Sequence, residues 1–166
     1  MISDTLIIID MQNGVCQNDH HFIENLNECV TIINARIATY RSHNKPIIFI
    51  QHNDSSLVKD GMAWKVISNI EQKDSDLFIQ KTHANSFYKT TLEQTLTDLN
   101  IRNIEICGAQ TEYCVDSTVK MAHGLGYNLQ MPRGGTTTFD NHYMTAKDTI
   151  KFYEGIWDNR FLKLLI

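Results

Sequence analysis

The run Ile104-Glu105-Ile106-Cys107-Gly108-Ala109-Gln110-Thr111-Glu112-Tyr113-Cys114-Val115-Asp116 passes from an apolar strand pattern, through a glycine, into a helix start. A polar residue that can cap a helix follows the glycine, so Cys114 is expected in the first turn of a helix behind a sheet edge. There, free backbone N–H groups and the positive end of the helix dipole favour an ionised sulfur. The same N–H groups can hold an oxyanion formed on a substrate carbonyl.

A nucleophile needs a base, and two other strand ends carry an ionisable group. The strand Thr5-Leu6-Ile7-Ile8-Ile9 ends in Asp10, and Leu77-Phe78-Ile79-Gln80 ends in Lys81. In an open parallel sheet ligands lie outside the carboxyl ends of the strands, so Asp10, Lys81 and Cys114 are expected to converge on one crevice. Each alone has an ordinary reading: aspartate caps turns, lysine is usually solvated, and free cysteine packs as a small hydrophobe. Their coincidence at three strand ends is what points to catalysis.

Further elements follow from the hydrophobic period. Phe22, Leu26, Val30, Ile33, Ile37 and Tyr40 recur at three- and four-residue steps, which predicts a long helix ending before Pro46. Ile47–Ile50 reads as the second strand and residues 51–60 as a loop. Residues 77–81 read as a strand, 90–99 as a helix, 103–107 as a strand and 127–131 as another. The Cys114 helix stops near Gly124 and Gly126. Asp140 or Asn141 is expected to cap a last helix with the face Ala146, Ile150, Tyr153 and Trp157, and the tail 160–166 to add an edge strand or pack as a loop. Strands alternating with helices predict a three-layer α/β/α sandwich around a mostly parallel, doubly wound sheet of five to six strands. At 166 residues the chain has room for one domain, residues 1–166.

The formal net charge of −4 and the scattered Lys and Arg residues give no basic surface for nucleic acid. The apolar run ending at Asp10 is too short for a signal peptide or membrane span, so a cytoplasmic chain with no membrane partner is the expectation. The four cysteines, Cys16, Cys29, Cys107 and Cys114, lack CxxC spacing, and a reducing compartment keeps them as thiols. Cys29 and Cys107 read as packing thiols; Cys16, after Asn13-Gly14, reads as a loop thiol open to oxidation.

Four blocks in order carry a resemblance: Ile7 to Asn13, Lys81 to Phe87, Cys107 to Thr118, and Gly124 to Asp140. In them the chain resembles the cysteine hydrolases of the isochorismatase-like superfamily, among them nicotinamidases, carbamoyl-amide hydrolases and streptothricin hydrolase. The resemblance implies that Asp10 accepts the thiol proton, that Lys81 acts electrostatically, and that Cys114 attacks the substrate carbon. It implies an oxyanion hole from the N–H groups of Cys114 and Gln110, the latter reached through a cis Ala109–Gln110 bond. It also implies a homo-oligomer, dimer or tetramer. By this reading the chain hydrolyses a C–N bond in a small amide, carbamoyl or lactam substrate through a thioacyl intermediate. Asp10→Asn is expected to raise the thiol pKa and slow alkylation.

Gln12, His52, Phe87 and Tyr113 are expected to line the substrate pocket, with His83 near it. Nicotinamidases of this superfamily hold a divalent ion with an aspartate and two histidines after the second strand. Here the loop Gln51-His52-Asn53-Asp54 has one histidine, so no metal and no cofactor is expected. His20-His21 reads as a charged loop pair, and His43, His123 and His142 as surface or capping residues. Three alternatives stand beside this reading: a metal-assisted nicotinamidase-type amidase, a non-catalytic doubly wound small-molecule-binding domain, and a thiol redox domain.

Overall fold

The structure, a computed structural model, describes residues 2–19 and 21–166. In chain order the elements are β1 (Thr5–Ile9), α1 (Asn13–Cys16), β2 (Gln17–Asn18), β3 (His21–Phe22), α2 (Leu26–Ser42), β4 (Ile47–His52), β5 (Leu77–Lys81), α3 (Leu92–Asp98) and β6 (Asn103–Ala109). A π-helical segment, Thr111–Val115, runs into α4 (Asp116–Gly124), followed by β7 (Asn128–Pro132), β8 (Thr136–Thr137), α5 (Ala146–Trp157) and β9 (Lys163–Leu165). The main sheet has strand order β5-β4-β1-β6-β7-β9, with the two-residue β8 also on β6, and every pair in it is parallel.

β1 is buried along its whole length, as a central strand covered on both faces must be. Its alternation divides the core in two. Leu6 and Ile8 pack with Ile33, Ile37 and Tyr40 of α2, while Ile7 and Ile9 pack with Leu92 and Leu96 of α3, Val119 and Ala122 of α4, and Trp157 of α5. Each fully buried Ile or Leu contributes roughly 1.5–3 kcal/mol. The result is the expected three-layer sandwich, with the tail adding the parallel edge strand β9.

From β1 the chain winds outward to β4 and β5, then returns to β6 and winds the other way to β7 and β9. The topological switch point is therefore the β1/β6 junction. Gly108 makes that junction possible: with φ +127°, it lies so close to β1 that a Cβ there would sit 2.1 Å from the Ile9 carbonyl oxygen.

Several expectations are corrected. α2 begins at Leu26, not Phe22, because the chain first makes a short β2–β3 hairpin in which Phe22 is exposed. β4 runs on to His52, past the expected end at Ile50, and in the loop that follows Val66, Ile67 and Ile70 pack into the α2-side core. Thr145 caps α5 by accepting from the Asp148 N–H, although Asp140 also receives the Ala146 N–H. On α5, Thr149 and Glu154 are buried with Ala146 and Trp157, while Ile150 and Tyr153 are only half-buried. Cys16 is 1% exposed rather than open, since α1 folds it into the α2-side core, and burial followed by the Asp10 charge pushes its thiol up to about 12.

A buried charge cluster sits at mid-sheet. Glu105 of β6, inaccessible to solvent, accepts two bonds from Arg36 of α2, one from Tyr40 Oη at 3.1 Å and one from Gln130 of β7. Among the described residues no helix is long and apolar enough to cross a membrane.

Candidate active site

The carboxyl ends of four adjacent strands meet at the switch point. Asp10 follows β1 with φ +50°, a backbone conformation that non-glycine residues adopt rarely and often at functional positions. Lys81 closes β5 and stands in register with His52, the last residue of β4. Past β6 the Ala109–Gln110 peptide is cis, and the π-helical segment then delivers Cys114.

Lys81 Nζ lies at the centre of this group. It is 2.6 Å from Asp10 Oδ2, 3.3 Å from Cys114 Sγ and 3.1 Å from His52 Nδ1. Both Asp10 and Lys81 are sealed from solvent, while Cys114 is the only one of the four cysteines that is not fully buried. Among the described residues no N–H or O–H donates to Asp10 Oδ1, and the Cys114 thiol is the hydrogen-bonding neighbour of this carboxylate besides Lys81. α4 is held in place from two sides: Thr118 Oγ1 receives the Ser86 N–H and donates to Ser86 Oγ, and Trp157 Nε1 donates to Asp116 Oδ1 at 2.9 Å.

The electrostatics differ from the expectation of a low-pKa thiolate. Burial, then the neighbouring Asp10 charge, push the Cys114 thiol up to about 12 against the pull of Lys81. Burial also raises Asp10, opposed by Lys81, which makes the carboxylate a stronger base than an ordinary one. The proton therefore rests on sulfur, facing a carboxylate able to take it. Burial and the Lys81 ammonium lower His52, so its imidazole is neutral near pH 7 and can accept a Lys81 N–H.

The other pocket candidates have different placements. Gln12 is fully buried and its amide clasps backbone: Nε2 donates to the carbonyls of His52 (3.0 Å) and Trp64 (2.8 Å), and Oε1 accepts the His52 N–H (2.7 Å). Phe87 is buried in the core cluster against which Cys114 also packs, and its ring stacks on Tyr127. Tyr113 is largely exposed and lines a separate cavity against α5. His83 is exposed and packs edge-on against Tyr88; His21, His43, His123 and His142 are exposed, and His20 lies outside the described residues. Trp64 gave no sequence signal, being in a long loop without periodicity, yet it bonds Gln80 Oε1 through its indole N–H and anchors Gln12.

His52 Nε2 lies 3.4 Å from Asp54 Oδ2, and among the described residues no third His, Cys, Asp or Glu joins them as a metal-ligand set.

A family model described as the isochorismatase domain matches residues 4–156. A crystal structure of an isochorismatase family protein superposes with a TM-score of 0.94 at 41% identity, covering 98% of this chain and 97% of that one. Nicotinamidase 3 of Arabidopsis thaliana is 24% identical over 158 residues, 85% of this chain and 76% of its own length. A ureidoacrylate amidohydrolase of Variovorax paradoxus is 32% identical over 80 residues, 48% of this chain and 32% of its own. The chain belongs to the isochorismatase family of hydrolases.

Proposed function

We propose that the chain is a cysteine-dependent hydrolase of a C–N bond in a small amide, carbamoyl or lactam substrate. The observation that carries this is one ammonium, Lys81 Nζ, held within 2.6 Å of a buried carboxylate and 3.3 Å of the accessible thiol at the topological switch point. The named amide-cleaving relatives support the bond class.

In this reading Asp10 removes the Cys114 proton as sulfur attacks the substrate carbon. The N–H groups of Gln110 and Cys114 hold the resulting oxyanion. Lys81 compensates the negative charge that moves from carboxylate to sulfur. Protonated Asp10 then gives its proton to the departing nitrogen, so amine or ammonia leaves a thioester behind. Water, deprotonated by Asp10, cleaves the thioester, releases the acid and returns the proton to sulfur. The need for a reduced Cys114 suits a cytoplasmic setting, and a homo-oligomer belongs to the same proposal; sedimentation as a monomer at high concentration would remove the latter.

The test is amine or ammonia release from a panel of small amides, ureas, lactams and nicotinamide, with and without chelator. Turnover that vanishes in Cys114→Ala and ignores chelator supports the proposal. Turnover lost to chelator alone favours the metal-assisted reading at His52 and Asp54 instead.

A further inference from the structure

A second cavity, of about 460 Å³, lies between the π-helical segment, the 141–144 turn and α5, and none of Asp10, Lys81 or Cys114 lines it. Its walls are mainly aromatic: Tyr113, Tyr143, Phe152 and Tyr153. Three of these are unusually open for such large side chains, at 57%, 89% and 55% exposure for Tyr113, Tyr143 and Phe152. Glu112 lines the same cavity, and its Oε2 is shielded from solvent while accepting no hydrogen bond from the described residues. The side chain as a whole is half-buried at the cavity wall, so water screens its negative charge only in part.

The charged surroundings fix the sign of that ligand. Among the described residues no Lys or Arg lines the cavity, and His142 is its only histidine. The nearby ammonium of Lys120 stands 6.0 Å from the Tyr153 ring but is already committed to Asp116 at 2.8 Å. Aromatic faces attract cations through their quadrupoles, and a lone carboxylate among them adds direct charge attraction. An anion would find no fixed positive charge lining the cavity.

From the half-buried Glu112 carboxylate in an aromatic-walled cavity that no Lys or Arg among the described residues lines, we infer that this cavity is a binding site for a small organic cation, an alkylammonium or a guanidinium group. The site does not depend on the hydrolase chemistry, because its residues are separate from the Asp10–Lys81–Cys114 group.

Butylammonium is the probe and butan-1-ol its neutral counterpart, titrated by NMR into the full chain carrying Cys114→Ala, so that turnover plays no part. Saturable butylammonium binding in the millimolar range is expected, with shifts at residues 112–113 and 141–153 and no saturable binding of the alcohol. Glu112→Gln should weaken the ammonium about tenfold. Phe152→Leu, at an exposed position that keeps the fold, should weaken it about threefold by removing one aromatic face. Equal binding of the alcohol, undiminished affinity in Glu112→Gln, or no binding to the folded chain would each overturn the inference.

Discussion

Two buried charge clusters lie on the same sheet, and both draw on the stretch from Ile104 to Asp116. At mid-sheet Glu105 has its oxygens occupied by Arg36, Tyr40 and Gln130. At the carboxyl ends of the strands Asp10 has one oxygen ion-paired with Lys81, and among the described residues the other has no N–H or O–H donor, its remaining neighbour being the Cys114 thiol. The first arrangement ties α2, β6 and β7 together and leaves little unmet. The second leaves a carboxylate with unused capacity beside a thiol that keeps its proton. Satisfied buried charge fixes a structure, whereas unsatisfied buried charge stays ready to exchange a proton with a neighbour.

Four substitutions can break or sharpen that contrast. Cys114→Ala should lower turnover at least about a thousandfold with only a small change in urea unfolding, since Lys81 keeps its Asp10 and His52 partners when the sulfur is removed. Residual activity close to the parent's would dissociate the Asp10 cluster from catalysis. Glu105→Ala should do the reverse. Removing the shared acceptor costs about 3 kcal/mol in urea unfolding, with turnover per folded molecule within about twofold of the parent. A large loss of turnover in fully folded Glu105→Ala would show that the two clusters are not separable.

Asp10→Asn tests the sign of the coupling. The Asp10 charge raises the Cys114 thiol, so its removal lets Lys81 act on sulfur alone and lowers the thiol pKa. This reverses the expectation drawn from sequence. Thiol labelling should therefore speed up about tenfold near pH 8 even as hydrolysis falls, and slower labelling would mean that Asp10 does not oppose the thiolate.

The smallest effect belongs to His52→Asn. Protonated His52 would place a second cation 3.1 Å from Lys81, and its pKa is already lowered, so its contribution to the acid limb of kcat/KM falls below about pH 6.5. The limb also reports Asp10, so the variant should lose one proton's slope and keep most of its rate at pH 8. An unchanged slope would remove His52 from the titrating group.

Much of this was legible because the signals are local. Apolar runs mark β1 and the Ile47–Ile50 part of β4, the apolar pattern of β6 persists around Glu105, and Asp10, Lys81 and His52 each immediately follow or close a strand, so topology alone brings these three together. Other features depend on contacts that no local pattern encodes. Phe22 shares the spacing of α2, but a two-residue hairpin outcompetes another helical turn. Phe87 sits in a polar stretch, yet it is drawn into the core by Tyr127, forty residues away. The Gln12 clasp needs the backbone of a loop more than fifty residues downstream. The elevated thiol arises from burial, which depends on the assembled fold rather than on the residue types alone.

The π-helical segment Thr111–Val115 makes the aim of the nucleophile a matter of residue count. A π turn accommodates one residue more than an α turn, and each residue removed from a helix turns the remaining side chains by about 100° around its axis. Deleting a single residue between Gln110 and Cys114 would relax the segment into an ordinary helix and swing the sulfur away from Lys81 without disturbing the sheet. Point substitutions in this segment alter the chemistry of the side chains; a change in its length would redirect them.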